Sequence, residues 1–282
     1  MNYQHAFHAG NFADVAKHLA QLLVLDHLGR KPAPWCYLDT HAGAGVYDLG
    51  SQSAQRTGEW REGVGRLWNT SPDHPVLARW LGLIGEFNPD GRLACYPGSA
   101  ALAAALGRPG DRLILCETES VPAAALGCLH SRAQIAVHRT DGYQAIKAFL
   151  PPRENRGLVL IDPPFEAPDE FQRAGAALVE GARRWRNGIF MLWYPLKDTR
   201  RADRLHAQLS DSGLDRLLLA EMRLAGPDGP SGFFGSGLLI RNPPWRLDHD
   251  LRSVWEAALE WLAPEAGSAR IEWLVGERQL DN

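Results

Sequence analysis

No run of about 18 apolar residues free of charge occurs anywhere in the 282 residues, and the opening Met-Asn-Tyr-Gln-His has neither the basic start nor the apolar stretch of a signal peptide. The expectation is a soluble chain that works in the cytoplasm. Cysteine is sparse. Cys36, Cys95, Cys116 and Cys128 stand far apart, with no Cys-x-x-Cys and no Cys/His pair at zinc spacing, so they read as buried reduced thiols and no metal is expected. Excess positive charge is lacking too. At a net charge of −3 the surface is not basic all over, and any nucleic-acid contact must come from local patches. Internal repeats, low-complexity tracts and long charge runs are absent.

What is present is ample apolar material, 45% of the residues, patterned with two periods. Asn11 can cap a helix over 11–29, in which Val15, Leu19, Leu22 and Leu23 recur on one face and Gly29 ends the run. The period then changes to that of strands, at 35–39, 112–116, 134–138, 157–161, 188–193, 216–221 and 236–240, with helical stretches between most of them. Strands alternating with helices predict an α/β fold, here with seven strands in a mostly parallel sheet. One interval departs from the rhythm. Residues 46–96 carry two helical patterns, one through Trp60, Val64, Leu67 and Trp68, the other through Val76, Leu77, Trp80, Leu81, Ile84 and Phe87, and read as an inserted helical subdomain between 1–45 and 97–282. After it, Pro97-Gly98-Ser99 opens the helix that would otherwise follow the first strand directly.

Strand ends carry the chemistry. Asp39-Thr-His-Ala-Gly-Ala-Gly45 is a loop with little side-chain bulk, through which backbone can approach a ligand at the carboxyl edge of the sheet. It is not Gly-x-Gly-x-x-Gly, since Asp48 holds the third position after Gly45, and no Gly-Lys-Ser/Thr follows to bind a triphosphate. This disfavours a dinucleotide oxidoreductase. Glu117 closes the second strand, Asp141-Gly142 follows the third, and Asp162 closes the fourth. Setting the insertion aside brings Glu117 near the spacing of about 20 residues at which an acidic side chain holds ribose hydroxyls. Carboxylates beside a glycine loop suit a nucleoside without a phosphate chain.

Leu160-Ile-Asp-Pro-Pro-Phe165 has a distinct chemistry. The lone pair of an exocyclic amino group on a base is delocalised into the ring. Asp162 and the carbonyl of Pro163 could accept its two hydrogens and free that lone pair for attack. Proline has no N–H to compete, and two in succession fix where the carbonyl points. Phe165 offers a flat face for an extruded base.

Asp-Pro-Pro-aromatic behind a strand and a glycine loop resembles the signature of adenosylmethionine-dependent enzymes that methylate adenine N6 or cytosine N4. More of the chain takes part in a narrower resemblance. Tyr3-Gln-His5-Ala-Phe-His8-Ala-Gly-Asn-Phe-Ala-Asp14-Val-Ala-Lys17-His18, Leu38-Asp-Thr-His41-Ala-Gly-Ala-Gly45, Tyr96-Pro-Gly-Ser99, Ile161-Asp-Pro-Pro-Phe165, Leu192-Trp-Tyr-Pro195 and Asn242-Pro-Pro-Trp245 together resemble the RlmJ family, which methylates N6 of an adenine in bacterial 23S ribosomal RNA. The resemblance implies a class I Rossmann-like methyltransferase fold and the cofactor S-adenosyl-L-methionine, placed against His18, His41, Gly43, Gly45, Ser99, Glu117, Asp141 and Gly142. It implies Asp162 as catalytic acceptor, with Pro163 and Phe165 beside it, and Tyr3, His5 and Lys17 toward the target adenosine. Phe165 stands where the family often has tyrosine, which keeps the stacking face and loses a hydroxyl. The partner implied is 23S ribosomal RNA, free or in early assembly, met by a monomer without membrane or metal.

For RNA contact two basic clusters stand out, Arg183, Arg184 and Arg186, and Lys197, Arg200, Arg201 and Arg204, the second beside a strand end near the site. A DNA amino-methyltransferase shares the chemistry but generally carries a sizeable target-recognition region, which is not evident here. A non-catalytic RNA- or nucleoside-binding module on the same fold is the other alternative, discouraged by the intact Asp-Pro-Pro-Phe.

Overall fold

The computed structural model describes residues 4–225 and 232–276. Its strands are β1 (Cys36–Asp39), β2 (Val46–Asp48), β3 (Cys95–Pro97), β4 (Arg112–Cys116), β5 (Gln134–His138), β6 (Gly157–Ile161), β7 (Ile189–Leu196), β8 (Leu217–Arg223), β9 (Gly235–Arg241) and β10 (Ser268–Val275). Eight of them form one sheet in the order β10-β8-β9-β7-β6-β1-β4-β5. From β5 to β7 the pairing is parallel, whereas β9 runs antiparallel between β7 and β8, and β10 is antiparallel to β8. The sheet is thus the expected mostly parallel Rossmann-like one, corrected from seven strands to eight. The added strand, β10, lies at the edge.

Parallel strands buried on both faces read as unbroken apolar runs, and alternate residues go to opposite sides. In β6, Leu158 and Leu160 join one core, with Leu19, Leu25 and Trp255 of the helices Phe12–Gly29 and Leu247–Leu262. Val159 and Ile161 join the other, with Ile146, Leu178 and Leu205 of the helices Gly142–Phe149, Glu170–Arg184 and Thr199–Ser210. Helices therefore cover both faces and leave the carboxyl edge of the parallel strands to loops.

The first long helix begins as its sequence dictates. Asn11 Oδ1 accepts from the N–H groups of Ala13 and Asp14 at 3.0 Å each, satisfying donors that a helix start leaves orphaned. Residues 46–96 are not helical throughout. They enter on β2, which pairs antiparallel with β3 at Val46↔Pro97 and Asp48↔Cys95, and between the two lie the helices Gln52–Thr57, Glu59–Glu62, Val64–Trp68 and Pro75–Glu86. Leu67, Leu77, Trp80 and Ile84 of this stretch are buried in the first core, alongside Leu19 and Trp255. All four cysteines are free thiols. Cys36 and Cys116 are buried as expected, Cys95 is half-buried and Cys128 is exposed on the turn after helix Ser120–Leu126, a correction to the buried reading.

Candidate active site

The loop after β1 doubles back under the end of β4. Gly43 and Gly45 adopt φ of +60° and +79°, a backbone region that only glycine enters without strain, and a Cβ on Gly43 would lie 2.1 Å from the Tyr47 hydroxyl. The tight loop brings the Gly43 N–H to Glu117, donating to Oε2 at 3.0 Å, while Oε1 accepts from the Glu119 N–H at 2.9 Å. The half-exposed Glu117 carboxylate is thus oriented by backbone donors, with lone pairs left over. Gly142 touches the same loop; a Cβ there would meet the Thr40 carbonyl oxygen at 2.1 Å. Asp141 caps the following helix, its Oδ1 accepting from the N–H groups of Tyr143 and Gln144 at 2.9 and 3.0 Å.

Behind the loop is a buried polar cluster. Asp39 accepts from the hydroxyls of Tyr37 and Ser99, both at 2.7 Å, and from the His41 N–H at 3.2 Å. Burial lifts its carboxyl to about 6, and these donors only partly offset it. His41 receives an edge-to-face contact from Tyr143, with centroids 5.4 Å apart, and burial depresses its imidazole to about 4, leaving it neutral at physiological pH. His18 is fully buried. Its Nδ1 is 2.7 Å from the Tyr96 hydroxyl, and burial pushes it down to about 3.

Asp162 follows β6 and faces a second region. Its Oδ2 accepts from Lys17 Nζ at 2.6 Å, and the same ammonium is 2.8 Å from Asp14 Oδ1. Asp14 Oδ2 in turn is held by the Gly10 N–H at 2.9 Å and lies 3.1 Å from His5 Nε2. Burial opposes charge on Lys17, yet Asp14 and Asp162 together outweigh it and hold the ammonium above its ordinary range. Burial likewise opposes charge on Asp14, and Lys17, His5 and His18 outweigh it, keeping that carboxyl well below its usual range. The group opens on a cavity of about 510 Å³ lined by Pro164, Phe165 and Trp193 and by His8, Asn11 and Glu59. Phe165 has φ of +45°, strained for a residue with a side chain, and its ring meets those of Phe171 and Trp193 edge to face at 4.6 and 5.6 Å. The Trp193 indole N–H donates to Ser236 Oγ at 2.9 Å, which locks that ring in place.

Residues 32–275 match the family model described as "RsmJ: Ribosomal RNA large subunit methyltransferase D, RlmJ". Two proteins called "Ribosomal RNA large subunit methyltransferase J" align along their whole length with 98% of this chain. One, from Escherichia coli, is 38% identical over 279 residues, and the other, from Haemophilus influenzae, 36% over 280. The chain belongs to the RlmJ family. A crystal structure of a Legionella pneumophila protein superposes with a TM-score of 0.87 at 31% identity, covering 94% of this chain and 98% of that one.

In this RlmJ-family chain the residues expected at the site fall into two adjoining groups. His41, Gly43, Gly45, Ser99, Glu117, Asp141 and Gly142 surround the loop at the carboxyl edge, while His5, Lys17, Asp162 and Phe165 surround the cavity. Asp162 joins them: it follows β6, whose Leu160 carbonyl accepts from the Thr40 N–H at the start of the glycine loop, and it pairs with Lys17 in the cavity. Tyr3 lies outside the described residues. S-adenosyl-L-methionine fits the first group, where Glu117 is preset at the end of β4 with lone pairs left for hydroxyl donors. His18 adjoins the second group, fully buried with its Nε2 3.9 Å from Asp14 Oδ1.

The two arginine-rich clusters part company. Arg183, Arg184 and Arg186 precede β7 and so sit at the opposite edge of the sheet from Asp162; Arg183 donates to the Ser212 carbonyl and Arg184 pairs with Glu180. Lys197 follows the other end of β7 and lines the cavity, 5.0 Å above the Phe233 ring. Of the apolar motif at 192–195, Trp193 and Pro195 line the cavity, while Tyr194 is buried on the far face against His206 and Glu221. Sequence reasoning did not assign a site role to Asp14 or Glu59. Asp14 stands one helical turn before Lys17, a spacing that signals an ion pair, but Glu59 carries no such local sign.

Proposed function

We propose that this protein uses S-adenosyl-L-methionine to methylate N6 of an adenine in 23S ribosomal RNA. One observation carries the reading: Asp162 lines a cavity of about 510 Å³ and follows β6 directly beside β1, from whose end the glycine loop springs. Bound S-adenosyl-L-methionine supplies an electrophilic methyl group on a sulfonium. The chain supplies the rest. Glu117 takes ribose hydroxyls of the cofactor, Asp141 and Gly142 border its adenine, and His18, His41, Ser99 and the Gly43–Gly45 backbone enclose it. In the cavity Lys17 occupies only Oδ2 of Asp162, which leaves Oδ1 to accept one hydrogen of the target amino group while the Pro163 carbonyl accepts the other. The nitrogen is thereby held with its lone pair exposed, and its surplus proton leaves after transfer, when it is acidic. Phe165 bounds the base, and His5, Lys17 and Tyr3 approach the target adenosine from the N-terminal segment.

The same reading makes 46–96 an inserted subdomain that helps bound the substrate, and takes the substrate as free or early-assembly RNA met by a monomer in the cytoplasm. Among the described residues no helix is long and apolar enough to cross a membrane, and no group of three or more His, Cys, Asp or Glu side chains is placed to hold a metal ion. Incubation with labelled S-adenosyl-L-methionine and unmodified ribosomal RNA, followed by mass-spectrometric mapping, tests the assignment. Label on a single 23S adenine N6 is expected, and label elsewhere or none refutes it.

A further inference from the structure

Part of the cavity lining is polar and built from two distant pieces of chain, His8 and Asn11 on one and Glu59 on the other. Glu59, in the 46–96 stretch, accepts from Asn11 Nδ2 at 3.0 Å, and its two carboxylate oxygens lie 2.9 and 3.0 Å from His8 Nδ1. Asn11 cannot turn away, because its Oδ1 is committed to capping the helix. The chain around the cluster is clamped as well. The Val64 N–H donates to the Gly10 carbonyl at 2.8 Å, and Gly63 packs so closely that a Cβ would lie 2.1 Å from that same oxygen. Burial works against charge on Glu59, but the hydrogen bonds from His8 and Asn11 outweigh it and favour the ionised form. With its side chain 34% exposed and facing the cavity, this carboxylate keeps lone pairs for a ligand.

Glu59 and Asp162 line the same cavity at the start of one helix, where the cap residue Asn11 touches Glu59 and Lys17 touches Asp162. Accepting the functional reading above, a base whose amino group sits at Asp162 leaves the Glu59 part of this cavity for its ribose. A 2′-hydroxyl is both donor and acceptor, and it is the group by which a protein separates RNA from DNA. We propose that Glu59, braced by His8 and Asn11, accepts a hydrogen bond from the 2′-hydroxyl of the target adenosine and makes the enzyme selective for RNA.

The test uses two synthetic hairpins carrying the mapped target, identical except that one has 2′-deoxyadenosine at that position. The full chain should prefer the all-ribose hairpin in kcat/KM by roughly 10- to 100-fold, the effect of losing one hydrogen bond to a charged group. Glu59→Gln and Glu59→Ala should reduce the ratio to within about threefold by slowing the ribose substrate, with melting temperature and S-adenosylhomocysteine binding as controls on folding. A wild-type enzyme indifferent to the 2′-hydroxyl overturns the proposal, as does a variant that slows both hairpins equally. Equilibrium binding of the two hairpins with S-adenosylhomocysteine present gives the same ratio without turnover. Absence of methyl transfer alone would therefore strike the functional reading, and absence of the ratio would strike Glu59.

Discussion

Replacing Lys17 with methionine isolates the ion-pair group at the floor of the cavity. The ammonium is 5% exposed and sits between Asp14, 3% exposed, and Asp162, 13% exposed, at 2.8 and 2.6 Å. Methionine is close in length and fills the space, so the effect is mainly electrostatic. Removing one partner of a buried pair leaves an uncompensated charge and costs about 3–5 kcal/mol. At roughly 2–4 °C per kcal/mol for a domain of this size, the melting temperature should fall by roughly 6–20 °C at neutral pH. The pH dependence gives a second reading. Asp14 in the folded protein titrates below its unfolded value, so its stabilising contribution is in place above about pH 4 and is lost as the pH falls through the lower folded value. Without Lys17 the strongest of the charges that lower Asp14 is gone and its carboxyl rises relative to wild type, so acid relieves the variant's stranded charge before it touches the wild type. The deficit relative to wild type should therefore be largest near pH 7 and narrow toward pH 5. Adding Asp14→Asn to Lys17→Met should restore more than half of the loss, because it removes the stranded charge. Scanning calorimetry at pH 7.5, 6 and 5 reads all three. A fall of less than 2 °C at neutral pH, or a deficit that widens in acid, would refute the reasoning.

Three further outcomes are expected. Asp162→Ala should abolish methyl transfer and leave S-adenosylhomocysteine affinity within a few-fold by calorimetry; substantial residual turnover would remove Asp162 from its acceptor role. Gly43→Ala forces a side chain into the left-handed region and against the Tyr47 hydroxyl, disturbing the amide that orients Glu117, and should weaken cofactor binding by roughly 10-fold, about 1.4 kcal/mol, with unchanged affinity counting against the loop assignment. Neutralising Arg200, Arg201 and Arg204 together should weaken RNA binding and flatten its dependence on salt in a filter-binding titration, whereas an unaltered slope would clear that helix of phosphate contact.

Local rules settled much of this protein in advance. β4 and β6 lie where apolar runs ended by charged or polar residues place them, because strands covered on both faces admit little else. The cap at Asn11 and the glycine loop were legible for the same reason, each being decided by atoms within a few residues. Other features were not legible. β2 and β3 are three residues long, too short for any period, and form only because their partners are brought together from either end of the 46–96 stretch. β10 alternates weakly and exists as the antiparallel neighbour of β8. The site divides in the same way. Asp-Pro-Pro-Phe announced its chemistry through residue types in sequence, but Lys17 and Asp162 are 145 residues apart, and Glu59 meets His8 across 51. Charge pairing acts through space and a linear pattern records only neighbours, so which carboxylate faces which cation, and which side chains share one cavity, was decided by the tertiary structure.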